Sequence, residues 1–381
     1  MKQHSAMSIA LLIIAGTIGA GIFSVPFTFE QTGRWPSISM VVLVTIAIIV
    51  TNLLLASVVL QSEAPKHDLV SIFHYYLPEK FRHRAGGITM GSFFVYMMIY
   101  CIMAPQFLTL LMGWSEPGII VPIVYGTAIG MMLHKNLTEV ERFEKRVIVL
   151  LTSLILGCCL LALYNRNGQP AVLTTLNRQN LYLPYGILLF ALNSMAVIPL
   201  VCMLAPAQPK TIKQGIIIAG ILTAIIITSF ALAISGLTGN NTSPNTLSSL
   251  DILLGPTMVR IAGGIGLLAI ISPHIIFGTH LRKSLSGDYK IPRSIARLIV
   301  TWGPLLASLI LHPNITDLLG WTGTIASGGT ALLIVRVTYR FYTKSSPTIQ
   351  DTFLVKNPKV RIGILTLIYT MGILITILYF K

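Results

Sequence analysis

Charge is what this sequence has least of. Asp, Glu, Lys and Arg make up 10% of its 381 residues, and 54% are hydrophobic. A soluble domain carries about a quarter charged residues, so this chain has too little polar surface to coat a water-soluble globule. Carboxylates are scarcest, 12 against 27 basic residues, and no long apolar block has an Asp, Glu or Lys at its centre. A membrane-embedded enzyme needs convergent ionisable groups at that depth, and they are missing. Cysteine is rare too. Cys101, Cys158, Cys159 and Cys202 all lie inside apolar blocks without metal-ligand spacing, which argues against a disulfide framework and a zinc site. The chain also lacks a Gly-Lys-Ser/Thr phosphate loop, so ATP-driven pumping has no machinery here. Neither a cofactor nor an obligatory protein partner is called for.

What the chain does have is apolar blocks of about 20 residues, the length that crosses ~30 Å of hydrocarbon. Hydropathy predicts eleven spans, near 6–29, 36–61, 86–112, 117–134, 147–164, 184–206, 214–237, 252–281, 295–312, 316–335 and 360–380. The first block has no cleavage site leading into a polar mature domain, so it reads as the first span. Polar connectors are short, and the stretch 62–85 is expected to hold a small interfacial helix.

The net charge of +15 points to topology, not to nucleic acid. Connectors assigned alternately, starting inside, place 22 of the 27 basic residues on one side and leave only Arg34, Arg166, Arg178, Arg260 and Lys381 on the other. A wrong span count would scramble that asymmetry. It therefore predicts a cytoplasmic N-terminus and an outer C-terminus in a plasma (inner) membrane.

Two blocks contradict their own helicity. Span one contains Gly16-Thr17-Ile18-Gly19-Ala20-Gly21-Ile22-Phe23-Ser24-Val25-Pro26. Each Gly costs about 1 kcal/mol in a helix and Pro removes a donor, so an unwound stretch is expected. Span six carries Asn193-Ser194-Met195-Ala196-Val197-Ile198-Pro199. Six is one plus five, an odd offset, so a second five-helix repeat would run inverted. Repeat one is then about 6–164, repeat two about 184–335, and the helix at about 360–380 an addition, all within one transmembrane domain. Paired interruptions in corresponding segments point to a binding site at the bilayer midplane.

Gly16 to Pro26 (GTIGAGIFSVP) resembles the first-helix signature of the aromatic and hydroxy amino acid permeases, the tyrosine- and tryptophan-specific family of the amino acid–polyamine–organocation superfamily. Trp302 to Pro313 (WGPLLASLILHP) and Asp317 to Gly323 (DLLGWTG) fit the family's ninth-to-tenth helix passage, and Leu189 to Pro199 its broken sixth helix. Where those permeases carry an aromatic-Gly-aromatic-His-Gly run, this chain has Asn193-Ser194-Met195-Ala196. The resemblance implies an all-α, five-plus-five inverted-repeat fold with discontinuous helices one and six, carrying an amino acid with proton coupling. A non-transporting solute sensor on the same fold, like the spore germinant-receptor membrane subunits, is the alternative.

The expected site follows from the breaks. Amides at Ile18, Gly19, Ala20 and Gly21 suit a carboxylate, and carbonyls around Thr17 and the span-six break suit an ammonium. Tyr96 and Tyr100, one helical turn apart in span three, form one wall, with Asn193, Ser194 and Met195 facing them. His274 is a candidate proton carrier and Ser272 a candidate sodium ligand, both in span eight. His280 is expected at the interface. Glu30 and Arg34, at i and i+4, read as a rim pair or outer gate.

Overall fold

The computed structural model describes residues 4–62, 69–114, 116, 118, 120–133, 153, 157, 180–244, 246–311, 314–344 and 358–379. Among these residues the chain is helical with no strand. Eight helices are long and apolar enough to cross a membrane, and a bent pair in span one makes a ninth. Span four is shorter than expected, a helix of 13 residues at Ile120–Met132. Apart from residues 153 and 157, the block expected at 147–164 lies outside the described residues, as do Cys158 and Cys159. The stretch 62–85 holds a short helix, Leu69–Tyr76, before span three begins.

Both interruptions are present. Span one is helical over Ala6–Ala15, capped by the Ser5 hydroxyl accepting from the Ser8 amide at 3.1 Å. It stops at Gly16, bends by 66°, restarts as a 3₁₀ turn at Ala20–Ser24 and continues as Val25–Thr32. Span six repeats the device with Leu183–Ala191, a 3₁₀ turn at Met195–Val197 and Ile198–Leu204. In each span the second half begins with a proline in its first turn, Pro26 or Pro199. A missing amide costs nothing there, because first-turn amides have no intrahelical acceptor.

The unbroken helices overrun the expected blocks. Span three occupies Glu79–Met112, span eight Leu247–Gly287, and span ten extends to Lys344. Hydropathy finds only the part that sits in hydrocarbon, whereas helical hydrogen bonding continues into water. Span two follows span one at once, because Gly33 adopts φ 103°, a left-handed turn closed to most side chains.

Packing separates an inner set from an outer one. In span six 83% of the apolar window is buried, against 28% in both span nine (Arg293–Leu311) and span eleven (Lys359–Leu378). The broken helices therefore sit in the middle and continuous ones face lipid. The tightest crossing joins span six to span ten, where a Cβ on Gly323 would overlap the carbonyl oxygen of Gly186. At that point span ten widens into a π-helical turn, Thr322–Ser327. Overpacking such a contact costs about 1–3 kcal/mol or more. Gly323→Ala is therefore expected to lower the thermal midpoint of the purified protein in detergent, whereas Gly87→Ala, mid-helix with nothing within 4 Å of its new methyl, should hold or slightly raise it.

Candidate functional site

The two breaks face each other. In span one the amides of Gly16 and Ile18 still bond back, to Leu12 (3.3 Å) and Ile14 (2.9 Å). The next amide bond is Ile22 to Gly19, at 3.3 Å. The amides of Gly19, Ala20 and Gly21 precede it, at the positive end of the outer half-helix, with no intrahelical acceptor. Ile18 thus leaves the expected set: its amide is bonded and its side chain is 1% exposed in the core.

Around the break lies about 250 Å³ of space, so divided that it admits no more than about one water. Span one lines it with Gly16, Thr17, Gly19 and Gly21. Tyr96 and Tyr100 line it from span three, Phe190 and Asn193 from span six, and Phe277 from span eight. Of the residues expected from sequence, Thr17, Gly19, Gly21, Tyr96, Tyr100 and Asn193 meet here. Gly16 lay in the anticipated break without being assigned to the site; Phe190 and Phe277 were missed, because each looks like ordinary apolar helix until the tertiary fold brings it to the break. The aromatic rings form a continuous wall, with Tyr96 to Phe277 at 4.7 Å, Tyr96 to Phe190 at 5.5 Å, and Tyr100 stacked on Phe277 at 6.4 Å between centroids. Among the described residues no charged side chain lines the cavity.

Hydrogen bonds hold the span-six break open. Asn193 donates from Nδ2 to the Tyr96 hydroxyl at 3.0 Å and to Ser327 Oγ at 3.3 Å, and its Oδ1 accepts the Met195 amide at 3.2 Å. The Tyr96 and Ser327 hydroxyls are 2.8 Å apart. Ser194 turns towards span two instead, accepting from Asn52 Nδ2 at 2.7 Å. Met195 and Ala20 are buried in the core and do not line the cavity. Neither Asn52 nor Ser327 stood out in the sequence, since a lone Asn or Ser in an apolar helix carries no periodic signal.

Gly19 and Gly21 differ in what they permit. A Cβ on Gly21 would come within 2.7 Å of the Ala191 Cα, so this glycine lets the two breaks touch. A Cβ on Gly19 would stand 3.1 Å from Pro273 Cγ and 3.3 Å from the Tyr100 hydroxyl. That hydroxyl has no hydrogen-bond partner among the described residues and points at the break.

Of the remaining candidates, His274 is buried with Nδ1 3.0 Å from the Tyr125 hydroxyl, and Ser272 Oγ is buried without a partner among the described residues. His280, expected at the interface, is instead 7% exposed and packs on Phe93 at 5.9 Å. Span eight continues to Gly287, beyond the expected end at 281, so His280 lies inside the bundle. Glu30 and Arg34 pair at 3.5 Å with side chains 4% and 11% exposed, at the hairpin between spans one and two.

A bundle of apolar helices enclosing two facing helix breaks defines a membrane transporter. The fold is shared with MhsT, solved in complex with L-phenylalanine (TM-score 0.67, 17% identity, 98% of each chain covered). It is shared equally with Mhp1, a nucleobase-cation-symport-1 family transporter in a closed conformation with bromovinylhydantoin bound (TM-score 0.69, 11% identity, 100% of this chain and 92% of that one). No curated protein sequence matches the chain significantly. The signature of the tryptophan/tyrosine permease family matches residues 2–254, and the chain belongs to that family. It is a multi-pass secondary transporter and not an enzyme.

The network around Asn193 can be tested directly. Asn193→Ala removes three hydrogen bonds and should cost about 1–2 kcal/mol of stability, read as a lower thermal midpoint in detergent. Asn52→Ala removes the hydrogen bond to Ser194 at the break and should cost about 0.6 kcal/mol.

Proposed function

We propose that the protein is a secondary active permease for amino acids with aromatic or hydrophobic side chains, working by alternating access under an ion gradient, most simply a proton gradient. The observation that carries this reading is the site itself: main-chain amides at Gly19, Ala20 and Gly21 that have no acceptor among the described residues, against an aromatic wall, with no charged side chain among the described residues lining the space between them. The amides and the Tyr100 hydroxyl suit an α-carboxylate, and the carbonyls ending the inner half-helix at Ala15–Thr17 suit an α-ammonium. Tyr96, Phe190 and Phe277 suit a flat apolar side chain. Membership of the tryptophan/tyrosine permease family supports the substrate class.

In this reading the chain sits in the plasma membrane with its N-terminus cytoplasmic and its C-terminus outside. The five-plus-five inverted repeat with an added eleventh helix is part of the same proposal. Its support is the matching breaks in spans one and six and the asymmetric basic connectors. Ser194 and Met195 shape the span-six break from behind, and Ile18 and Ala20 hold the span-one break from the core. Glu30 and Arg34 form the outer gate. His274 carries a proton, or Ser272 ligates sodium beside the span-one carbonyls.

Uptake by proteoliposomes over a panel of amino acids, under imposed proton or sodium gradients, tests the whole reading. Uptake of tryptophan, tyrosine or phenylalanine supports it. Solute-dependent signalling with no uptake would select the sensor alternative. Gly19→Val pushes a branched side chain against Pro273 and Tyr100 and should lower uptake at least about tenfold while membrane abundance is kept. Normal uptake by that variant would remove Gly19 from the site.

A further inference from the structure

His274 follows Pro273, the nearest neighbour that a side chain on Gly19 would meet. Its ring is 3% exposed and sits between Tyr100 of span three and Tyr125 of span four, each 5.6 Å away between centroids. Nδ1 lies 3.0 Å from the Tyr125 hydroxyl. Span three presents Tyr100 to this pocket and Cys101 to Tyr125, span four presents Tyr125, and span one presents an uncharged break. No carboxylate, lysine or arginine acts on His274 among the described residues.

An imidazolium in such surroundings is costly unless a negative charge arrives with it. The substrate proposed above brings one. Its carboxylate would rest on the Gly19–Gly21 amides, separated from His274 by the Tyr100 ring, whose hydroxyl faces Gly19. We infer that His274 is the proton-binding site of the transport cycle and that Tyr125 is its positioning residue. The inference rests on the amino-acid reading of the site.

A phenol hydroxyl suits both protonation states of its neighbour. It donates to Nδ1 of the neutral ring and rotates to accept from Nδ1–H of the imidazolium, so the pair stays bonded throughout. The proton comes from a hydronium ion on the outer side, adds to the imidazole, and returns to water on the inner side once the carboxylate has left. No other bond is made or broken. Because linkage is reciprocal, proton and substrate tighten each other's binding by the same factor. Neither closes the site well alone, which is what couples the two fluxes.

The test uses the full-length protein and whichever of L-tryptophan, L-tyrosine and L-phenylalanine shows the fastest counterflow. In the wild type, Kd should tighten at least about tenfold as pH falls from about 8.5 to about 5.5, with proton uptake on binding read by calorimetry in buffers of different ionisation heat. His274→Gln should flatten that pH dependence and abolish accumulation driven by a proton gradient, while membrane abundance and a single thermal transition in detergent are kept. Tyr125→Phe should shift the midpoint of the pH profile without flattening it. A wild-type pH slope in His274→Gln would overturn the proton site, and an unmoved midpoint in Tyr125→Phe would overturn the role of Tyr125. Counterflow that is intact but independent of pH in the wild type sinks this inference alone. Absence of counterflow with all three amino acids sinks the substrate reading beneath it.

Discussion

A backbone amide or carbonyl inside a bilayer has no water to bond with, so any residue that leaves the helix there must be enclosed by protein. The rest of this structure follows from meeting that demand twice. Spans one and six each give up helical bonding for a few residues, and both are wrapped by their neighbours. Spans nine and eleven, with little of their surface buried, continue without a break across the face left to lipid. Breaks inside and regular helices outside are one solution to one constraint, and the enclosed irregular backbone is also the only place where main-chain dipoles can meet a solute.

Enclosure has to be close as well as complete. Glycines let it be so: Gly21 brings the two breaks into contact, and Gly186 and Gly323 bring span ten against span six. Because span ten widens into a π turn at that crossing, Ser327 falls beside Tyr96 and Asn193, and Thr324 accepts from Thr376 of span eleven at 3.1 Å. A single irregular turn therefore bonds the span-six break on one side and the outermost helix on the other. Asn52 secures the same break to span two. Through these bonds the span-six break is tied to spans two, three and ten, and through span ten to span eleven.

The breaks were legible in the sequence because there local chemistry conflicts with an apolar block long enough to span a membrane. Gly16–Pro26 and Asn193–Pro199 are poor helix inside strong hydropathy, and no soluble context resolves that conflict. Tyr96 and Tyr100 were legible from helical spacing. The partners that complete the site were not. Phe190, Phe277, Ser327, Asn52 and Tyr125 read as ordinary lipid-soluble helix, and only tertiary packing gives them a common neighbour. The direction of Ser194 was hidden for a related reason. Once the helix unwinds, periodicity no longer says which way a side chain points, and Ser194 faces span two while its neighbour Asn193 faces the cavity. Helix ends escaped hydropathy because the scale reports the solvent around a helix and not its hydrogen bonds.

The neutrality of the cavity has its own consequence. A site that bound a zwitterion through a buried Arg or Asp would leave an uncompensated charge whenever the solute departed, and closing around that charge costs several kcal/mol. Main-chain amides at a helix start carry partial charge only, so the breaks can pack down without the solute. That accounts for a cavity reduced to room for about one water, with the Tyr100 hydroxyl already against Gly19. Full charges are held at the margin, where Glu30 and Arg34 pair at the hairpin between spans one and two and Arg34 keeps part of its side chain exposed. A transporter has to return without cargo as readily as it travels with it. In the proposed reading, binding through backbone dipoles at the centre, with ion pairs kept to the rim, would satisfy both halves of that cycle with one set of groups.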